Sequence, residues 1–166
     1  MSDEELQPPD NESGSNPARA AGSSCRILVV EDEASIRRMV MGMLSNSGYQ
    51  VDAAEDGAQA WNALQVNHYD LLITDNNMPN VSGVELLQRL HATHMELPVI
   101  MATATLPSEE FARNPCLEPA ATLLKPYSIA ALMETVKAVL CAVSESHKQI
   151  DPSSDWSQTS TDALQL

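Results

Sequence analysis

Five short apolar runs, each followed by a segment whose apolar residues recur at helical spacing, predict an α/β chain. Such alternation makes a doubly wound, five-stranded parallel sheet with helices on both faces. A second observation agrees: the polar residues that look chemical stand where the runs end, and a sheet of this kind keeps its ligand site at the carboxyl ends of its strands.

Taken in order, "RILVV" (26–30) is the first strand, and Ile36, Met39, Val40, Met43 and Leu44 then fall at helical spacing until Gly48 stops them. "YQVDAA" (49–54) alternates as a less buried strand, and Asp56 with Gln59 forms a capping pair for a helix through Trp61 and Leu64. "DLLIT" (70–74) leads through a loop to a helix from about Val84 to Leu90, with Ser82 and Glu85 spaced as a capping box. "PVIMAT" (98–103) precedes a weaker helix near Ser108 to Arg113. "ATLLK" (121–125) is the fifth strand, and Ile129, Leu132, Val136, Val139, Leu140 and Val143 mark the last helix.

Residues 1–24 and 144–166 are polar and bury too little to offset their ordering entropy, so they read as tails around one domain at 25–143. The net charge of −14 is spread over all three parts: five acids against one arginine in 1–24, fourteen against seven basic residues in 25–143, and four against one lysine in 144–166. An acidic domain without a basic run argues against nucleic acid and anionic membranes as partners. No apolar stretch reaches about 18 residues and the acidic start does not resemble a signal peptide, so a cytoplasmic protein is expected. Cys25, Cys116 and Cys141 lack CxxC spacing and are expected to be reduced structural thiols.

Glu31, Asp32 and Glu33 end the first strand, Asp75 the third, Thr103 the fourth and Lys125 the fifth. Taken singly, each has a bland explanation as a turn, cap or strand former. Their convergence on one sheet edge favours a site. Close together, Glu31, Asp32 and Asp75 repel, and one stays protonated unless a cation neutralises them. Such hard oxygen ligands suit Mg²⁺, which keeps several waters and takes one or two carboxylates beside a phosphate oxygen. A flavin site would need a Gly- and Ser/Thr-rich loop after strand one, and an acidic triplet there repels phosphate. His91 and His94 offer half a metal site without a second pair, and Met39, Met41 and Met43 read as packing residues.

An acidic pair after strand one, "DNNMPNVSG" (75–83) as D-x-x-M-P-x-x-x-G, Thr-Ala after strand four and Lys-Pro after strand five resemble, as a set, the receiver domains of two-component response regulators. The stretch "DLLITDNNMPNVSGVELLQRL" is similar to single-domain chemotaxis-type regulators. The resemblance implies a flavodoxin-like strand order 2-1-3-4-5. It makes Asp75 the phosphoacceptor, served by a histidine kinase or a histidine phosphotransfer protein. It implies Mg²⁺ on Asp32, Asp75 and the backbone carbonyl of Asn77, with Glu31 acting through water. Lys125 neutralises the phosphoryl group, Asn77 and Ala104 bind it, and Thr103 moves as the switch. Gly83 serves the turn after the site, and Lys125–Pro126 is cis.

Some positions depart from the family pattern. Thr122 stands where receivers commonly carry the aromatic switch residue, Tyr127 where Phe is commoner, and Pro115 and Pro119 predict a short fourth helix. With no output domain expected after the last helix, the anticipated function is a stand-alone switch, monomeric or weakly dimeric, that signals through a protein partner. A non-phosphorylated adaptor and a phosphorelay intermediate are the alternatives. No enzyme activity beyond self-catalysed aspartyl phosphorylation and dephosphorylation is expected, since no Ser-His-Asp or reactive-thiol arrangement is legible.

Overall fold

The computed structural model describes residues 24–148. Strands β1 (Arg26–Val30), β2 (Gln50–Ala54), β3 (Leu71–Thr74), β4 (Val99–Thr103) and β5 (Ala121–Leu124) alternate with helices α1 (Ala34–Asn46), α2 (Gly57–Val66), α3 (Gly83–Ala92), α4 (Ser108–Arg113) and α5 (Ile129–Lys148). The sheet is parallel throughout, in the order β2-β1-β3-β4-β5. The three inner strands are apolar along nearly their whole length because helices cover both faces, while the edge strands β2 and β5 are only half buried.

Each of the three inner strands deals its side chains alternately to two cores. Leu28, Leu72 and Met101 face α2 and α3, packing with Leu64, Leu86 and Leu90. Ile27, Ile73 and Ile100 face α1 and α5, packing with Leu44, Leu132 and Val136. Each such residue is fully or nearly fully buried, worth about 1.5–3 kcal/mol of apolar transfer.

The caps form as anticipated. Asp56 accepts from the Gln59 N–H at 2.8 Å, although the Gln59 side chain answers to the N–H of Glu55 rather than to that of Asp56. Ser82 and Glu85 complete a capping box, with the Glu85 N–H donating to Ser82 Oγ at 3.2 Å and the Ser82 N–H to Glu85 Oε2 at 2.7 Å. The bonds that the carboxylate accepts, first from the Ser82 N–H and then from the Ser82 hydroxyl, hold the Glu85 carboxyl below its ordinary range.

Several expectations change. α5 continues to Lys148, beyond the boundary at Val143, so residues 144–148 belong to the helix and not to the tail. Nothing there stops propagation, and the hydroxyls of Ser144 and Ser146 bond back to the carbonyls of Leu140 and Ala142. The anticipated tails at 1–24 and 144–166 otherwise lie outside the described residues, apart from Ser24. Met39 is 48% exposed rather than packed, while Met41 and Met43 are half buried. Cys116 and Cys141 are exposed thiols and so not structural. His94 lies past the end of α3 at φ 53, and it and His91 are both exposed. α4 has six residues and is followed by a single 3-10 turn, Pro115–Leu117, whose Leu117 is buried.

At the amino ends of the strands, a polar network closes the sheet. The Arg26 guanidinium pairs with Asp52 at 2.6 Å and lies over the Tyr69 ring at 5.1 Å, while the Tyr69 hydroxyl donates to Asp52 at 2.9 Å. Burial, reinforced by that bond to Asp52, pushes the Tyr69 phenol up to about 12 from an ordinary 10.0. An unfolded chain therefore releases this proton first, so the stability it contributes is present below pH 10 and is lost as pH rises towards about 12. Tyr69→Phe is expected to flatten the fall in denaturation midpoint across that window, and an unchanged slope would contradict the assignment.

Candidate functional site

The strand register explains how the polar residues converge. Val30 is level with both Ala54 and Thr74, so Glu31 and Asp75, one residue on, leave β1 and β3 side by side. Thr74 is level with Met101, which places Thr103 about one residue beyond Asp75, and Leu124 is level with Thr103, so Lys125 starts further out and reaches back. β1 and β3 are also where the strand order reverses, the place at which open sheets of this class hold ligands.

Glu31 and Asp75 are buried, at 5% and 7% exposure, and Asp32 is exposed. One carboxylate oxygen from each of the three lies within 4.8 Å of the others. Lys125 Nζ donates to Glu31 Oε2 at 2.8 Å and to Asp75 Oδ2 at 2.7 Å, so the cation this edge requires is supplied in part by the chain itself. The other oxygen of Asp75, Oδ1, accepts the N–H of Asn77 at 3.0 Å.

The charges read consistently with this geometry. Burial pushes the Glu31 carboxyl up; Lys125 opposes this, and Asp75 and Asp32 add to it. Burial alone would lower the Lys125 ammonium, but its bonds to Asp75 and Glu31 outweigh that, and its pKa is raised. Lys125 therefore stays charged, and Glu31 is the acid whose charge is least comfortable without further positive charge nearby. A set of three hard oxygens around a buried, under-neutralised carboxylate fits Mg²⁺. Asp32, with its open carboxylate, and Asp75 are the residues that would hold it. Glu31 bonds Lys125 directly, a contact the water-mediated role implied by the resemblance did not include.

Thr103 is fully buried, and its hydroxyl donates to the carbonyl of Thr105 at 3.1 Å rather than to Asp75. Its own carbonyl accepts the Lys125 N–H at 2.9 Å, which ties β4 to the lysine. Ala104 and Asn77 lie exposed at the same edge. Glu33 turns away, its carboxylate taken by the hydroxyl of Ser35. Lys125–Pro126 is cis.

Behind Asp75, Gly83 is required by space: a Cβ there would lie 2.5 Å from the Asp75 carbonyl oxygen. Asn76 then fastens the acceptor loop to α3, its Oδ1 accepting the Val84 N–H at 3.1 Å and its carbonyl the Gly83 N–H at 3.3 Å. Arg37, whose guanidinium donates to the carbonyls of Glu31 and Asp32 and to Glu55, does not stand out in the sequence, because two of these partners are main-chain atoms and the third lies in the next βα unit. The only available signal for Asn76 is its side-chain type at a strand-to-helix turn.

Comparison with known proteins places the arrangement. A family model described as the response regulator receiver domain matches residues 27–137. The chain is 40% identical over 112 residues to the sensor histidine kinase RcsC of Escherichia coli K12, covering 66% of this chain and 12% of RcsC. It is 43% identical over 84 residues to the sensor protein EvgS of Escherichia coli O157:H7, covering 51% of this chain and 7% of EvgS. The chain thus spans only a small part of these curated relatives. Among solved structures, the chemotaxis response regulator CheY4 of Vibrio cholerae aligns with a TM-score of 0.63 at 30% identity, over 70% of this chain and 99% of that one. The response regulator TrrA of Thermotoga maritima, solved in complex with Mg(2+)-BeF, aligns with a TM-score of 0.61 at 31% identity, over 69% of this chain and 98% of that one. From β1 into the first half of α5, then, the chain belongs to the response regulator receiver domain family of two-component systems.

Proposed function

We propose that Asp75 accepts a phosphoryl group from the phosphohistidine of a histidine kinase or phosphotransfer protein, and that the protein passes the signal to a protein partner. The observation that carries this is the setting of Asp75: a buried carboxylate whose two oxygens are held by Lys125 Nζ and the Asn77 N–H, beside two further acids. A carboxylate oxygen of Asp75 attacks phosphorus, the P–N bond to the donor imidazole breaks, and an acyl phosphate forms. The departing imidazole keeps the electron pair and takes up a proton. Hydrolysis returns Asp75 and inorganic phosphate, so the chain acts on itself and is not an enzyme in the ordinary sense.

Lys125, already within bonding distance of Asp75, neutralises charge on the transferring group, the main service a protein offers this chemistry. When bound, Mg²⁺ supplies further positive charge for the phosphoryl oxygens. Asn77 and Ala104 offer main-chain N–H groups at the exposed edge. Thr103 gives up its bond to the Thr105 carbonyl to meet the phosphoryl oxygen, and that exchange biases the β4–α4 loop.

The acidic composition favours a protein rather than nucleic acid or a membrane surface as partner, and no helix among the described residues is long and apolar enough to cross a membrane. A stand-alone regulator is the form we favour, because the solved response regulators it resembles are matched over nearly their full length. A second reading, an intermediate that hands the phosphoryl group on to another histidine, is favoured by the 40% identity to a segment of a sensor histidine kinase.

The test is transfer of labelled phosphate from autophosphorylated histidine kinases and phosphotransfer proteins. Transfer to wild type and not to Asp75→Asn is expected; failure with every donor would point to a constitutive adaptor. Transfer in the reverse direction, from the phosphorylated chain to a second histidine, separates the relay from the terminal switch. Since Thr122 is exposed on the edge strand, Thr122→Tyr is expected to leave the phosphorylation rate within about twofold, while Thr103→Ala lowers it about tenfold. An equal or larger loss in Thr122→Tyr would contradict this.

A further inference from the structure

Arg37, in the first turn of α1, is a cation set behind the acidic edge, with a side chain only 14% exposed. Its Nη1 donates to the main-chain carbonyls of Glu31 at 2.6 Å and Asp32 at 3.2 Å, and its Nη2 meets Glu55 Oε1 at 3.2 Å. It touches neither site carboxylate. Lys125 and Arg37 thus divide the work: Lys125 occupies acid oxygens from the front, and Arg37 holds the backbone from which the acids project.

We propose that Arg37 is a positioning residue of the phosphoacceptor site, fixing the β1–α1 turn so that the Glu31 and Asp32 carboxylates point to a common centre with Asp75. The inference rests on the reading of Asp32 and Asp75 as the residues that hold Mg²⁺, with Glu31 beside them. Mg²⁺ demands near-ideal octahedral geometry, so the direction in which two adjacent carboxylates leave a turn decides affinity. Outer contacts that orient ligands matter for the same reason. A planar guanidinium reaches both carbonyls and Glu55 from one rigid fork, which an ammonium cannot do. Glu55 in turn begins the β2–α2 loop, whose Asp56 accepts from Asn80 Nδ2 at 2.8 Å, so the brace continues to the loop that carries Asp75.

The sign of the effect separates positioning from charge. Arg37 is positive, so its removal would by electrostatics alone tighten Mg²⁺ binding. Loss of positioning loosens it. A merely structural role lowers thermal stability and leaves affinity unchanged.

The experiment is calorimetric Mg²⁺ titration of the full chain as wild type, Arg37→Gln, Arg37→Lys, Asp32→Asn and Arg113→Gln, with melting temperatures measured in chelator. Arg113 is exposed and pairs with Glu109 on α4, so its variant removes the same charge elsewhere. We expect Kd to rise about tenfold or more in Arg37→Gln and to rise clearly in Arg37→Lys. Arg113→Gln should stay within about twofold. A folded Arg37→Gln with Kd equal to or below that of wild type overturns the inference; should it not melt cooperatively, Arg37→Lys is judged by the same criterion. Asp32→Asn keeps the two readings apart. If wild type shows no binding, or Asp32→Asn binds as tightly, the ligand set itself is wrong and the inference falls with it. If binding needs Asp32 but not Arg37, the inference falls alone.

Discussion

Asp75→Asn is expected to take no phosphoryl group from any donor and, in the absence of metal, to melt at a higher temperature than wild type. The first effect follows from chemistry: an amide oxygen does not form the acyl phosphate that a carboxylate forms. The second follows from the charges. Glu31, Asp32 and Asp75 bring three like charges within 4.8 Å of one another, against one ammonium in direct contact. Asparagine keeps an acceptor for Lys125 or the Asn77 N–H and removes one of the three charges. The gain is about 1 kcal/mol, the usual cost of keeping a functional site strained. Added Mg²⁺ should then stabilise the variant less than it stabilises wild type. Thermal melts with chelator and with Mg²⁺ check this, and a lower metal-free midpoint in Asp75→Asn would contradict the charge argument.

Lys125→Ala should act in the opposite sense. It leaves Glu31 and Asp75, both buried, without their cation, at a cost of about 2–4 kcal/mol to the metal-free protein. Part of that cost returns when Mg²⁺ is added, because positive charge is then restored beside the same oxygens. Phosphorylation should not return with it: removing one preorganised group that stabilises developing charge lowers the rate by about 10²–10³-fold. A Lys125→Ala protein as stable as wild type in chelator would mean that the two bonds at 2.7 and 2.8 Å contribute nothing net. A protein phosphorylated at the wild-type rate would remove Lys125 from the reaction.

Much of this could be read in the chain before any coordinates. An apolar run that breaks into an acid marks a strand end, and parallel topology then brings Glu31, Asp75 and Lys125 together although they lie 94 and 50 residues apart. Capping pairs were legible because they are local. What could not be read depends on main-chain partners or on propagation. Arg37 bonds carbonyls, which no side-chain pattern records, and its counter-charge Glu55 sits in the next βα unit. The last five residues of α5 are polar, and a helix continues through such residues when nothing stops it, whatever their hydropathy. Met39 shows the limit from the other side, since helical spacing places an apolar residue on a stripe but does not say whether a neighbour covers it.

Intact-protein mass spectrometry after incubation with acetyl phosphate decides whether Asp75 is the phosphoacceptor. A single phosphoryl adduct that appears with Mg²⁺, is absent in chelator and in Asp75→Asn, and maps to the peptide containing Asp75 is the predicted result. An adduct that persists in Asp75→Asn, or no adduct on a folded wild-type protein supplied with Mg²⁺, would contradict it.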